Sequence, residues 1–427
     1  MPISEMTKKL AVEAEKLSAP LFREIEEIAE YNTMRVSDAF IASRVAAAHF
    51  APSTGYGYDD IGRDTLDKVY AAAFGCEDAL VRPQIINGTH ALNLMLNGIL
   101  PEKGGKMLSL TGAPYDTLAE TVKRMEEKGL SYRELAFTGE PEKDYIEKCR
   151  TAAEEFSPDV VYIQRSKGYG DRITLSSKDI RIMAAAVKKA CPGVIVALDN
   201  CYGEFTEAGE PFGSAPEGFE GIRHAHFEGE EDIVDIAAGS LIKNPGGGLA
   251  PCGGYVAGKH ELVERIADQL TVPGIGREAG CNPAGWRLYY EGFFLAPHVV
   301  AEALRTMVFA ANLLTLAGFE ASPRGDERRS DIIQTIRFGK PDPLIAFCRG
   351  IQAASPVDSF VTCEPWPMPG YNADVIMAAG AFVQGSSIEL SADAPLREPY
   401  LLYLQGSLTY QSGKLAVMRA VDGAMGK

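Results

Sequence analysis

Residues 194–203 read ValIleValAlaLeuAspAsnCysTyrGly, an apolar run that stops on a carboxylate and a glycine. A strand covered on both faces reads as a continuous apolar run, where a half-exposed one alternates. Residues 160–164, ValValTyrIleGln, have the same character, and a helix-like stretch separates the two. From Leu80 to about Lys259, strand-like and helix-like segments alternate. This predicts an α/β unit with a mostly parallel sheet and helices on both faces. In open sheets of this kind ligands bind beyond the carboxyl ends of the strands, which is where Asp199 stands. Taken alone, a strand-ending aspartate is equally suited to capping the next helix.

Outward from this strand, residues 239–249 read GlySerLeuIleLysAsnProGlyGlyGlyLeu. A lysine in an apolar, glycine-lined setting loses solvation, its pKa falls, and the neutral amine can form a Schiff base with an aldehyde. Lys243 is that candidate; the alternative is a surface lysine beside a flexible loop. If the aldehyde is pyridoxal 5'-phosphate, a carboxylate such as Asp199 beside the ring nitrogen keeps it protonated, and the ring becomes an electron sink. Upstream, AsnGlyThrHisAlaLeuAsnLeuMet (87–95) opens a helix at Gly88 and Thr89, whose free N–H groups suit a phosphate. Ser240 could add a hydroxyl, and His90 could lie on the cofactor ring.

The N-terminal residues Leu10, Ala14, Leu17, Leu21, Ile25 and Ile28 recur at helical spacing. A Gly- and Tyr-rich loop, 53–58, follows, then a helix from about Arg63 to Phe74. After Gly292 a long helix from about Pro297 to Leu316 leads into a smaller α+β region. The expected division is an N-terminal helical arm (1–55), a large cofactor-binding α/β domain (56–292) and a small C-terminal α+β domain (293–427).

The chain has 427 residues, 46% of them apolar and 23% charged, within the range of ordinary globular proteins. Its net charge of −16 is the wrong sign for neutralising nucleic-acid phosphates. No uninterrupted apolar run approaches a membrane span and the N-terminus lacks signal-peptide character, so a cytoplasmic location is expected. The eight cysteines form no C-x-x-C pair and no metal-type spacing with the histidines. His224 and His226 read as a loop, and no metal is expected.

The stretches GYGYDDIGRDTLDKVYAAAFG, ALVRPQIINGTHAL, VYIQRSKGY, ALDNCYGEF, AAGSLIKNPGGG and LSADAPLREPYLLYLQGSLTY span Tyr56 to Tyr410. Together they resemble the methionine γ-lyase-like proteins often labelled aluminium resistance proteins, within the fold-type I pyridoxal-phosphate enzymes. The resemblance implies a relative of cystathionine β-lyase, with the cofactor on Lys243. It also implies a homo-oligomer, a dimer of shared active sites paired into a tetramer, with Tyr56 and Tyr58 borrowed by the neighbouring subunit. The better-known relatives carry a tyrosine and an arginine two apart in that loop, but this chain has Tyr-Gly-Tyr. Arg63, or Arg165 and Lys167, could supply the missing charge, and Arg165 is also a candidate for contacting the substrate. Arg397 matches the region that holds the substrate carboxylate.

The expected activity is a lyase that removes the α-proton of a sulfur-containing amino acid and expels a thiol by β- or γ-elimination, leaving ammonia and a 2-oxo acid. The alternatives are replacement, aldol cleavage or transamination with the same cofactor, and a non-catalytic cofactor-binding protein linked to metal tolerance. A phosphate-binding P-loop is disfavoured because its lysine follows its glycines, whereas here the glycines follow Lys243. Residues 208–232 read as a surface insertion, and 271–280 as a further loop near the site.

Overall fold

The computed structural model describes residues 3–137, 139, 141–170, 172–212, 233–368 and 373–426. Residues 213–232 lie outside the described residues, and with them His224, His226 and most of the expected insertion. The long N-terminal helix α1 (Glu5–Ala42) starts at Ser4, whose hydroxyl accepts from the Thr7 amide, and it packs along α8 (Arg287–Leu316). Its buried stripe runs through Ala11, Ala14, Leu21 and Ile25, while Leu17 falls outside it, 49% exposed.

Seven strands form the large sheet: β1 (Asp78–Arg82), β2 (Lys106–Ser109), β3 (Ser131–Glu134), β4 (Val160–Gln164), β5 (Ile195–Asp199), β6 (Ile236–Ser240) and β7 (Gly254–Gly258), in the order β1-β7-β6-β5-β4-β2-β3. Only β7 runs against the others. The strand at 194–199 is therefore central and parallel, as its unbroken apolar run requires.

Alternation along β4 divides the core. Val160 and Tyr162 pack with helices α3 (Gly88–Ile99), α4 (Asp116–Glu127) and α7 (His260–Leu270). Val161 and Ile163 point the other way, towards α2 (Ile61–Phe74), α5 (Lys143–Phe156) and α6 (Ser177–Ala190). Each such fully buried aliphatic side chain contributes about 1.5–3 kcal/mol.

A second sheet, antiparallel throughout, has the order β10 (Val375–Ala379), β11 (Ser391–Pro395), β12 (Leu401–Gln405), β9 (Ile333–Arg337) and β8 (Glu320–Ser322). Helices α9 (Pro341–Ala354) and α10 (Tyr410–Ala424) pack against each other over a separate core.

Helix α8 runs through residue 292 and begins ten positions before Pro297, where the sequence pattern had suggested a start. Gly292 sits inside it because the backbone at Gly246 and Gly247 presses against the helix there. A Cβ on Gly292 would collide with the Gly246 carbonyl, and one on Gly247 with the Gly292 carbonyl. Gly246 and Gly247 thus serve a contact between backbones, while a Cβ on Gly248 would meet the Leu408 side chain. Helix α8 is apolar and long enough to cross a membrane, but 78% of its most apolar window is buried in the protein core.

Candidate active site

Asp199 ends β5, Ser240 ends β6 and Gly88 opens α3 beyond β1, so all three lie at the carboxyl edge of the large sheet. Lys243 follows Ser240 by three residues, half-buried at the start of a short turn. The Asn244 amide donates to the carbonyls of Tyr202 and Glu204, both at 2.9 Å, and locks the lysine-bearing turn to the loop after β5.

The Lys243 ammonium donates to the Tyr202 hydroxyl and, at 2.9 Å, to Ser387 Oγ. Burial alone would disfavour its charge, but Tyr202, Cys201 and the Asp393 carboxylate more than offset that effect, so its pKa is raised. This corrects the expectation of a lowered lysine pKa, which counted desolvation and not the neighbours.

Asp199 is 5% exposed. Its carboxylate accepts from the Tyr162 hydroxyl at 3.2 Å and the Cys201 amide at 3.1 Å. Burial pushes its pKa up against the pull of these hydrogen bonds and of Lys243. A buried carboxylate of this kind is stabilised by a cationic donor.

Gly88 is pressed against Ser240: a Cβ there would lie 3.2 Å from Cys201 Sγ and 3.3 Å from Ser240 Cβ. Ser240 Oγ is buried with no hydrogen-bond partner among the described residues. The Asn87 side chain caps the His90 amide at 2.8 Å, leaving Gly88 and Thr89 to offer the first N–H groups of α3. Thr89 Oγ1 meets Thr117 Oγ1 at 2.7 Å. His90 Nδ1 accepts from the Ile86 amide at 3.1 Å, and desolvation lowers the ring's pKa.

Three of the cations suggested for phosphate or substrate, Arg165, Arg63 and Lys167, bond to other groups of the chain. Arg165 is fully buried and donates to Asn200 and Glu207 at 2.9 and 2.6 Å, with Glu210 at 3.6 Å. A ligand carboxylate would have to displace these groups, so the structure corrects its reading as a substrate contact. Arg63 donates to the Gly57 and Glu278 carbonyls at 2.8 and 2.9 Å and so clamps the Tyr-Gly-Tyr loop. Lys167 donates to the Ser322 carbonyl at 3.0 Å. Arg397 is exposed in a cleft with Tyr169, Pro395 and Tyr403. Tyr56 and Tyr58 stack at 5.2 Å and are 68% and 56% exposed.

Four groups escaped the sequence reading. Tyr202 lay inside a quoted segment but carries no motif signal. Ser387 and Asp393 come from the second sheet region, some 150 residues beyond Lys243, and no local pattern links them. Tyr169 was passed over in favour of the cations beside it. Asp78, His260 and Glu264 bring ligand-type atoms together, but Arg277 already donates to Asp78 and Glu264 at 2.6 and 2.9 Å.

With this geometry in view, the methionine gamma-lyase profile matches residues 7–425. The chain belongs to the methionine gamma-lyase family. This family member is 46% identical to an uncharacterized protein of Bacillus subtilis (strain 168) over 431 residues, covering 99% of this chain and 97% of the relative. It is 44% identical to a structure described as a carbon-sulfur lyase involved in aluminum resistance from Clostridium novyi NT, with a TM-score of 0.88 over 98% of this chain and 96% of that one. At 15% identity, yeast cystathionine gamma-lyase superposes with a TM-score of 0.58 over 91% of this chain and 98% of its own, which establishes the shared fold-type I architecture.

Proposed function

We propose that this methionine gamma-lyase family member is a pyridoxal-phosphate-dependent carbon–sulfur lyase that takes a sulfur-containing amino acid to a thiol, ammonia and a 2-oxo acid. The observation that carries the proposal is the junction at one sheet edge of the Lys243 ammonium, the buried Asp199 carboxylate and the unpartnered Ser240 hydroxyl beside Gly88. These residues fit the cofactor. Lys243 would carry it covalently, Asp199 would face its ring nitrogen, and the Gly88 and Thr89 amides with Ser240 Oγ would hold its phosphate. When bound, the cofactor supplies an electron sink for the pair left on the substrate α-carbon.

The chain's own groups do the rest. Lys243 would be the base that takes the α-proton, with Tyr202 and Ser387 holding its nitrogen in place. Elimination from the β-carbon needs no further base. Elimination from the γ-carbon needs a second proton transfer, and the Tyr202 hydroxyl in contact with Lys243 is within reach for it. His90 would lie by the ring, Arg397 would meet the substrate carboxylate, and Tyr56 and Tyr58 would reach the neighbouring subunit's site in a homo-oligomer.

The test is an absorption scan of the purified protein before and after borohydride, alongside Lys243→Ala, followed by assays of thiol and 2-oxo acid release. A visible band that reduction abolishes and the variant lacks, with release from cystathionine, cysteine or methionine, supports the reading. A cofactor-loaded protein inert towards all three defeats it in favour of a non-catalytic role.

A further inference from the structure

The wall of the second sheet that meets Lys243 carries a buried acid. Ser387 Oγ accepts from Lys243 Nζ at 2.9 Å and fixes how closely this region approaches. Along β11, Ala392 and Ala394 enter the small core with α9 and α10, so Asp393 lies on the opposite face. Along β12, Leu402 and Leu404 do the same, and Tyr403 and Gln405 share the face of Asp393.

That face meets the large domain. Asp393 Oδ2 accepts from the Tyr169 hydroxyl at 2.9 Å and from Gln405 Nε2 at 2.8 Å. Tyr403 OH donates to the Tyr169 carbonyl at 2.7 Å. The Asp393 carboxylate also acts electrostatically on Lys243.

Asp393 is 5% exposed and Gln405 2%. Their remaining oxygens, Asp393 Oδ1 and Gln405 Oε1, have no hydrogen-bond partner among the described residues. A buried acceptor left unmade is costly, and more so on a carboxylate. Two such acceptors on neighbouring strands, joined through Oδ2 and Nε2, call for a ligand with several N–H donors and a positive charge. Lys243 does not fill this role, because its ammonium is directed to Tyr202 and Ser387. Burial raises the Asp393 pKa to about 6 against the pull of its hydrogen bonds and of the Lys243 charge, so the group is ionised at neutral pH with Oδ1 still lacking a donor.

We propose that Asp393 and Gln405 form the substrate-reading end of the site and accept hydrogen bonds from a second ammonium group. The protein then takes amino acids whose side chain ends in an amine in preference to those ending in a methyl group. This rests on the lyase reading only in placing the substrate's α-amino end at Lys243.

The experiment is calorimetric titration of the cofactor-loaded protein with L-lysine and with L-norleucine, which match in length, differ in the terminal charge and contain no sulfur. Lysine should bind more than about tenfold tighter, as expected for hydrogen bonds to a charged group. Asp393→Asn should bring the lysine-to-norleucine ratio close to one, whatever it does to the affinity for norleucine itself. Equal affinity of the unaltered protein for the two, binding of neither, or an equal loss for both in Asp393→Asn would overturn the proposal. The lysine-to-norleucine ratio of the unaltered protein decides the matter even if the variant fails to fold. Thiol release from S-(2-aminoethyl)-L-cysteine and S-propyl-L-cysteine is read separately. Its absence from both counts against the lyase reading alone, because the binding preference does not depend on turnover.

Discussion

The Lys243 ammonium nitrogen lies 3.8 Å from the centroid of the Tyr202 ring and donates to the hydroxyl of that same ring. Tyr202 adopts φ 73°, a left-handed conformation that is costly for a residue with a Cβ. It is held there by the Asn244 amide on its carbonyl, so the lysine-bearing turn and the strained tyrosine fix each other. The lysine is thereby kept charged and oriented.

Tyr202→Phe removes one of the groups that raise the Lys243 pKa. The sign is direct: a lower pKa means more neutral amine at neutral pH, so the variant should accept pyridoxal phosphate faster there. The midpoint of loading rate against pH should move down, as read by the growth of visible absorption between pH 6 and 9. Turnover of the loaded variant should fall about 10²-fold or more if the hydroxyl handles a proton. An unmoved loading midpoint would show that Tyr202 does not govern the lysine.

Ser240→Ala tests the phosphate site. Because Ser240 Oγ is buried without a partner, its removal should leave the melting temperature of the cofactor-free protein unchanged or slightly raised. Cofactor affinity should fall by about tenfold, the loss of one hydrogen bond to a charged group. Equilibrium dialysis and a thermal melt measure the two effects. A large drop in cofactor-free stability with unchanged affinity would place the hydroxyl in the core and not at a ligand.

What the sequence made legible was whatever a contiguous pattern could carry. The unbroken apolar runs at 160–164 and 194–199 announced central parallel strands, and both are fully or nearly fully buried. Lys243, Asp199 and Gly88 could be singled out because each closes or opens an element at the sheet edge. The charges around them could not be foreseen, since Ser387 and Asp393 arrive from another sheet. Arg165 looked available because a guanidinium's partners are invisible in sequence, and Glu207 and Glu210, some forty residues on, consume it. The start of α8 was misplaced because Pro297 and Gly292 imitate a boundary, while the cause of the glycine is a loop 45 residues earlier.

The exposed Tyr56–Tyr58 stack predicts subunit complementation. A protein with both tyrosines replaced by phenylalanine and a Lys243→Ala protein should each be nearly inactive alone. Co-expressed and purified through both tags, the mixed dimer should recover about half of the original activity, since one of its two sites is intact. The check is specific activity of the separately tagged, doubly purified pair. No recovery in a verified mixed dimer would mean the two tyrosines serve their own chain.

Glu204 sits beneath the lysine-bearing turn, fully buried, and accepts from the Tyr255 hydroxyl at 2.8 Å while its other oxygen has no partner among the described residues. Burial, with the Glu210 charge adding to it, pushes its pKa up to about 8 against the bonds it accepts. An unfolded glutamate releases its proton near pH ~4.3. Across that window the folded protein keeps a proton that the unfolded chain has lost. Stability therefore declines as pH rises, by at most about 1.4 kcal/mol per pH unit, and levels off above pH 8. Glu204→Gln carries the neutral form permanently and should lack this slope. The melting temperature of the variant minus that of the unaltered protein should thus increase from pH 5 to pH 8 and then stay flat. A difference that does not change with pH would mean that Glu204 ionises in the folded protein as it does in water, and that the raised pKa inferred from its burial is wrong.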